Sequence, residues 1–200
     1  AQDQNVSPMA RAQSANKNLH AWPHRRPLLY RIFMPDASPA AIAVALPHGV
    51  SYCWDAGTCH LRYAWIGGFV DPMPVWKANG NGLAKIIGTR FWTGSKDFPF
   101  HKKAPSDFKP QFQGYRKIDG HPEFHYTIGD IDIYERITAL PSGMGLTRHF
   151  RIPDITYPLH ITIASKNTKV SKGKINQGVA TLTNNEAQSF TITHHHAHGK

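Results

Sequence analysis

The sequence has no long apolar run and comparatively few acidic residues. No hydrophobic stretch approaches the roughly 18–20 residues that a membrane-spanning helix needs, so no membrane span is expected. Thirteen acidic residues stand against 23 lysines and arginines, which gives a formal net charge of +10. That charge favours anionic partners. The basic residues are spread along the chain rather than clustered on one helix, so specific nucleic-acid recognition is not expected.

Recognisable catalytic motifs are also missing. The chain has no G-x-S-x-G and no glycine-rich phosphate loop. Asp130, Asp132 and Glu135 are the best candidates for the paired carboxylates of glycoside hydrolysis. Exposed acidic residues are common on hairpins, so the sequence favours a protein that is not an enzyme, with a glycan-active enzyme as a minor alternative.

Cysteine is scarce, with Cys53 and Cys59 as the two examples. They flank Asp55-Ala56-Gly57, which suits a three-residue hairpin loop with glycine at positive φ. That register opposes the two cysteines at a Cβ separation of about 4.5–5.5 Å, and a small adjustment brings them to disulfide distance. A disulfide is therefore predicted, with two free buried thiols as the alternative. No cofactor is expected, because C-x5-C-H lacks the spacing of zinc knuckles and of haem attachment.

Short strands separated by turns dominate the rest of the chain. The clearest are predicted at 112–118, 123–128 and 131–140, joined by the two-residue turns Asp119-Gly120 and Gly129-Asp130. About twelve short strands and no long amphipathic helix predict an all-β fold. We expect an antiparallel two-sheet β-sandwich with an extended N-terminal arm.

The composition divides the chain into an extended arm at 1–27, a β-sandwich at 28–193 and a histidine-rich tail at 194–200. The arm is polar and contains three prolines, so it should not form a core of its own. Its apolar residues include Val6, Met9, Leu19 and Trp22. Such an arm gains most by joining the sheet of a neighbouring copy, which predicts a structural protein that assembles into a filament or another homopolymer.

The aromatic residues suggest a different function. Trp54, Trp76 and Trp92 lie in an aromatic-rich region and are candidates for a platform on which sugar rings stack. The alternative function is therefore a carbohydrate-binding module for neutral or anionic glycans, or an accessory domain of a secreted glycan-active system. The same residues also suit a large aromatic core, and the sequence leaves both interpretations open.

Two histidine-rich groups are weak metal candidates. Alternate residues of a strand point the same way, and two such rows are His121, Glu123 and His125, and His194, His196 and His198. The alternatives are the solvent face of an amphipathic strand and a polar tail. We expect neither group to form a metal site.

The chain resembles an uncharacterised β-sandwich module of secreted bacterial proteins in three segments: MPDASPAAIAVALPHGVSYCWDAGTCHLRYAWIGGFVD, KIIGTRFW and FQGYRKIDGHPEFHYTIGDIDIYERI. The similarity covers residues 31–152. The module is often joined to c-type cytochrome domains, but a haem-binding segment is absent here, so the resemblance implies no electron transfer. It implies secretion, as does the start Ala1-Gln2-Asp3-Gln4, which looks like the product of signal-peptide cleavage. An extracellular location is expected, with the periplasm or the cell surface as alternatives.

Overall fold

The computed structural model describes residues 20–78, 81–103, 108–163 and 165–197. Within these ranges the chain forms 17 strands, two short α-helices and four antiparallel sheets, which confirms the predicted all-β class. The strand count exceeds the predicted twelve because several strands have only two or three residues.

In chain order the strands are β1 Leu28–Arg31, β2 Ala41–Ala45, β3 Val50–Asp55, β4 His60–Ile66, β5 Val70–Asp71, β6 Lys85–Ile86, β7 Thr89–Thr93, β8 Phe100–His101, β9 Pro110–Ile118, β10 His121–Ile128, β11 Ile131–Ala139, β12 Gly145–Arg151, β13 Leu159–Thr162, β14 Thr168–Val170, β15 Lys174–Asn176, β16 Val179–Leu182 and β17 Ser189–His195. The helices are α1 Met73–Lys77 and α2 Asn184–Ala187. The five-stranded sheet has the order β1-β2-β3-β4-β7, and the six-stranded sheet has the order β14-β17-β12-β11-β10-β9. A four-stranded sheet, β15-β16-β13-β8, and the pair β5-β6 complete the fold.

The main core lies between the five-stranded and six-stranded sheets. Trp54 of β3 stacks on Phe124 of β10, with ring centroids 4.1 Å apart and planes 2° from parallel. Phe100 and Leu182, from the four-stranded sheet, belong to the same core. Two antiparallel sheets packed face to face make a β-sandwich, as the strand pattern predicted.

A second apolar layer covers the outer face of the five-stranded sheet. It includes Met34, Tyr63, Trp65 and Phe69, with the segment between β4 and β7 folded over the sheet. Every residue of β2 is consequently buried. This explains why AIAVA is a continuous apolar run rather than an alternating one.

Both turns of the predicted meander are present. Asp119 and Gly120 both have positive φ, at 50° and 78°, as a type I′ turn requires. Gly129 has a φ of 60°, which suits the first central position of a type II′ turn. The local turn chemistry therefore places β9, β10 and β11 in the predicted register.

The predicted disulfide between Cys53 and Cys59 is wrong, and both cysteines are free. The loop between β3 and β4 contains four residues, 56–59, and Cys53 is paired with Tyr63. Cys59 ends the loop at a φ of 54°, and its thiol donates to the Ala56 carbonyl at 3.7 Å. The two thiols belong to different apolar layers, on opposite faces of the sheet. Burial raises the pKa of each thiol to about 12.

Asp55 is the physical cause of the longer loop. Its carboxylate accepts hydrogen bonds from the backbone N–H of Gly57 at 2.9 Å and from the backbone N–H of Ser38 at 2.7 Å. The Ser38 hydroxyl donates a third bond at 2.5 Å. These contacts hold the loop against the segment before β2, which removes the register that would oppose the cysteines.

Candidate functional site

The predicted sugar platform is not formed by Trp54 and Trp92. Trp54 is 0% exposed, and its indole N–H donates to the buried Glu135 carboxylate at 3.1 Å. Trp92 is also buried. Trp76 is partly exposed in α1, and its indole N–H donates to the Tyr30 hydroxyl at 3.2 Å. Flat indole faces buried in a core cannot stack on sugars, so the aromatic-core interpretation is correct for Trp54 and Trp92.

Glu135 lies at the centre of a buried polar network. Arg148 Nε donates to Glu135 Oε1 at 2.6 Å, while Trp54 Nε1 and the Tyr126 hydroxyl donate to Oε2. Burial, and then the charge of Glu135, raise the pKa of Tyr126 well above its usual value. The carboxylate is fully engaged in this network, so Glu135 is not placed to act on a ligand at the surface.

The three acidic residues considered for catalysis do not converge. Glu135 faces the core, whereas Asp132 Oδ1 lies 2.6 Å from His125 Nε2 on the opposite face of the sheet. Asp130 is exposed in the turn before β11. These positions do not provide the two carboxylates flanking one ligand that glycoside hydrolysis requires.

A small cavity, lined mainly by apolar surface, lies beside Arg148 where the three larger sheets meet. Its volume is about 20 Å³. It is lined by His60, Leu61, Trp92, Gly94, Ser95, Pro99, Arg148, Ile161, Thr162, Ile163, Thr168, Ile192 and His194. Trp92 Nε1, Arg148 Nη2 and His194 Nε2 are buried and have no hydrogen-bond partner among the described residues. Such groups are rare in folded proteins, so the cavity is a candidate binding site.

His194 belongs to this cavity rather than to a tail. β17 runs to His195, so the six-stranded sheet extends two residues into the predicted tail. His194 Nδ1 lies 2.9 Å from Thr168 Oγ1, and the His194 ring is 4.1 Å from the Trp92 ring. Burial, and then the charge of Arg148, lower the pKa of His194 well below its ordinary value. The imidazole is therefore neutral at pH 7.

His60 closes another side of the cavity. Its Nδ1 lies 3.0 Å from the Thr58 carbonyl, and its Nε2 lies 3.0 Å from an Arg62 guanidinium nitrogen. A tautomer that donates from Nδ1 and accepts at Nε2 satisfies both contacts, and the Ser95 carbonyl, 3.2 Å from His60 Nε2, then accepts from Arg62 instead. Burial lowers the pKa of His60, which keeps the ring neutral.

The row His121, Glu123 and His125 lies on the outer face of the six-stranded sheet. Glu123 forms an ion pair with Arg116 at 2.8 Å and lies 3.6 Å from Arg151. His121 Nδ1 contacts the backbone of its own turn. These side chains are paired with neighbours across the strands, which matches the solvent-face alternative.

A stack of three side chains crosses the same face. The His125 and Tyr134 rings are stacked, with centroids 4.7 Å apart. The Arg151 guanidinium carbon lies over the Tyr134 ring, 3.9 Å from its centroid. A shallow groove of about 300 Å³ runs beside it, lined by Gln113, Gly114, Tyr115, Arg116, Glu123, His125 and Tyr134. The Tyr134 ring is thus engaged by protein groups.

In the part of the chain that the structure describes, no group of three or more His, Cys, Asp or Glu residues is arranged to hold a metal ion. His196 packs edge-on against Phe91, at 5.8 Å between ring centroids. His198 lies outside the described residues.

An apolar groove lies beside β1, the first strand of the five-stranded sheet. Among the described strands, β1 pairs only with β2, so its other edge is free. One part of the groove, of about 280 Å³, is lined by Tyr30, Arg31, Ile32, Phe33, Pro39 and Val75. An adjoining part, of about 180 Å³, is lined by Phe33, Met34, Ala37, Ser38, Pro39, Asn81, Gly82 and Leu83. We call the two parts together the edge groove.

The described chain begins next to this groove. The His20 ring is 4.4 Å from the Tyr30 ring, and the Ala21 carbonyl accepts a hydrogen bond from the Phe69 N–H at 2.7 Å. Arg26 anchors the same segment by donating to the Leu46 carbonyl at 2.9 Å. Trp22, predicted as an arm residue, is 59% exposed. The other predicted arm residues, Val6, Met9 and Leu19, lie outside the described residues.

Sequence reasoning missed Arg148 and Thr168 in the cavity, and Phe33 and Val75 in the edge groove. The alternation Leu146-Arg148-Phe150 places Arg148 on the core face of β12, so period-2 counting contained the signal for that residue. The edge groove has no comparable signal, because it depends on how the segment between β4 and β7 folds over the sheet.

Comparisons with known proteins assign no family. No family model, no curated protein and no solved structure matches this chain. Among the described residues, no helix is long and apolar enough to cross a membrane. The resemblance to cytochrome-associated modules stays a prediction.

Proposed function

We propose that this protein is a non-catalytic structural subunit that self-associates. Residues 1–19 of one copy lie in the edge groove of the next copy and add a strand to β1. The observation that carries this proposal is the free edge of β1 beside an apolar groove. An extracellular location, predicted from the sequence, is part of the proposal.

The chemistry of a free strand edge supports this proposal. An unpaired edge presents backbone N–H and C=O groups that a further strand can bind. At the far edge of the six-stranded sheet, β9 carries Pro110, Lys117 and a bulge opposite His125, all of which discourage pairing. β1 is short and has no proline within it. The edge groove beside it supplies apolar surface for the side chains of an added strand.

The position and length of the arm support an exchange between copies. In the sequence, 19 residues precede His20, and an extended segment of that length spans at most about 65 Å. A 200-residue domain has a radius of gyration of about 16 Å, so the arm is long enough to reach the groove of an adjacent copy.

The geometry of the exchange determines the kind of assembly. The arm and the edge groove are different surfaces, so each copy donates at one surface and accepts at another. Such heterologous contacts give a ring when the rotation closes and a filament when it does not. This agrees with the homopolymer predicted from the sequence.

A truncated protein that begins at His20 provides the test. It lacks residues 1–19 of the predicted arm but keeps the contacts of His20, Ala21 and Arg26. Sedimentation velocity and negative-stain microscopy of both proteins should show assemblies for the full chain and monomers for the truncated protein. The same assembly state in both proteins would overturn the proposal.

A groove variant tests the acceptor side. Val75→Asp places a charge in the edge groove without altering β1, and it should abolish assembly of the full chain. Val179→Asp in β16 is the matched control, because Val179 is similarly half-buried but lies in the four-stranded sheet. Thermal melting should show that both variants fold. If the Val75→Asp protein is folded and still assembles normally, the arm does not bind in the edge groove.

A further inference from the structure

We propose that the cavity between Trp92, Arg148 and His194 binds a single halide-sized monoanion. This inference is independent of self-association, because it concerns the interior of one subunit. It rests on three buried polar atoms without partners among the described residues, all on residues that line one cavity.

The three buried atoms without partners among the described residues can all donate hydrogen bonds, so they suit a ligand that accepts. Arg148 Nη2 and Trp92 Nε1 carry only N–H groups, so each can donate but cannot accept. His194 Nε2 carries a hydrogen in the tautomer in which the Thr168 hydroxyl donates to Nδ1. That tautomer gives three donors around the cavity.

The local charge favours an anion. Arg148 carries a buried positive charge, and its partner Glu135 already accepts hydrogen bonds from three groups. Glu135 compensates the charge of Arg148, but Arg148 Nη2 has no acceptor among the described residues and can still donate a charge-assisted hydrogen bond to an anion. His194 is neutral and contributes a donor without adding charge. One negative charge suits this arrangement better than two.

The size of the cavity selects the ligand. A volume of about 20 Å³ holds one small species and excludes sugars and phosphate groups. A water molecule accepts about two hydrogen bonds, and its own hydrogens also need acceptors. The lining also includes the hydroxyl groups of Ser95, Thr162 and Thr168, so the anomalous signal of bromide, rather than the lining, distinguishes a halide from a water. A halide accepts from all three donors and leaves no hydrogen unsatisfied.

Bromide is the probe for a direct test. Crystals grown in sodium bromide should show an anomalous peak among Trp92, Arg148 and His194. Saturating bromide should raise the Tm by about 5 °C relative to sodium gluconate at equal ionic strength, because gluconate is too large to enter. A cavity without anomalous signal, or equal Tm values in the two salts, would overturn the proposal.

A conservative variant identifies the donors. Trp92→Phe removes one N–H and should weaken bromide binding about tenfold, as expected for a hydrogen bond to a charged group. Trp76→Phe is the matched control and should bind bromide normally. Unchanged bromide affinity in folded Trp92→Phe would count against the assignment. If Trp92→Phe does not fold, the anomalous measurement on the unmodified protein decides.

Discussion

Arg148 and Glu135 form an ion pair inside the sandwich, with Arg148 Nε 2.6 Å from Glu135 Oε1 and side-chain exposures of 4% and 0%. Their strands, β12 and β11, are neighbours in the six-stranded sheet. A buried charge is tolerated only when it is paired and hydrogen-bonded, so each residue depends on the other. The pair also places the Arg148 guanidinium beside the small cavity that Trp92 and His194 line.

Removing one charge of this pair should be strongly destabilising. Glu135→Gln leaves the Arg148 charge buried without a counter-ion, and we expect a loss of about 3–5 kcal/mol in the free energy of unfolding. Urea denaturation measures this loss. The double variant Glu135→Leu, Arg148→Met should recover most of it, because neither charge remains. A single variant as stable as the unmodified protein would show that the pair is not buried.

The stability of the fold should fall on mild acidification. His60 and His194 have pKa values below the ordinary value, which is about 6.5 in an unfolded chain. As the pH falls through 6.5, the unfolded chain takes up protons at these residues before the folded chain does. The free energy of unfolding should therefore decrease by up to about 1.4 kcal/mol per pH unit for each histidine.

Denaturation at pH 7, 6 and 5 measures this slope. His194→Gln should reduce this slope. Stability that is constant between pH 7 and 5 would contradict the burial of the two neutral imidazoles.

The two cysteines should behave as protected free thiols. With a pKa of about 12, each has a thiolate fraction at pH 8 on the order of 1,000-fold below that of an exposed cysteine. Iodoacetamide should therefore modify neither residue in the folded protein and both after unfolding in urea without reductant. Mass spectrometry distinguishes the outcomes. If the unfolded chain were modified only after reductant is added, the two cysteines would form a disulfide and this prediction would be wrong.

Local signals were sufficient for the turns and for the fold class. Asp119-Gly120 and Gly129-Asp130 specify their turn types through glycine and aspartate chemistry, and β9, β10 and β11 follow from them. The Cys53–Cys59 pairing failed because the loop contains residues 56–59 instead of the predicted 55–57, and a bulge next to Cys53 moves its partner further, to Tyr63. Asp55 sets that length through contacts with Ser38, a residue 17 positions away.

The candidate cavity was only partly predictable. Glu135 falls between Ile133 and Ile137 on the core face of β11, and His194 follows Ile192 on the core face of β17. Strand alternation therefore predicts that both side chains face the core. Which buried polar residues meet depends on packing between sheets, and strand periodicity contains no information about that.

Hydrogen–deuterium exchange in β1 is the most direct test of self-association. If the arm of a second copy adds to β1, protection of amides in Leu28–Arg31 should rise with the concentration of the full chain and should stay low in the truncated protein that begins at His20. Protection that is independent of concentration and equal in the two proteins would contradict the proposal that one copy donates its arm to the next.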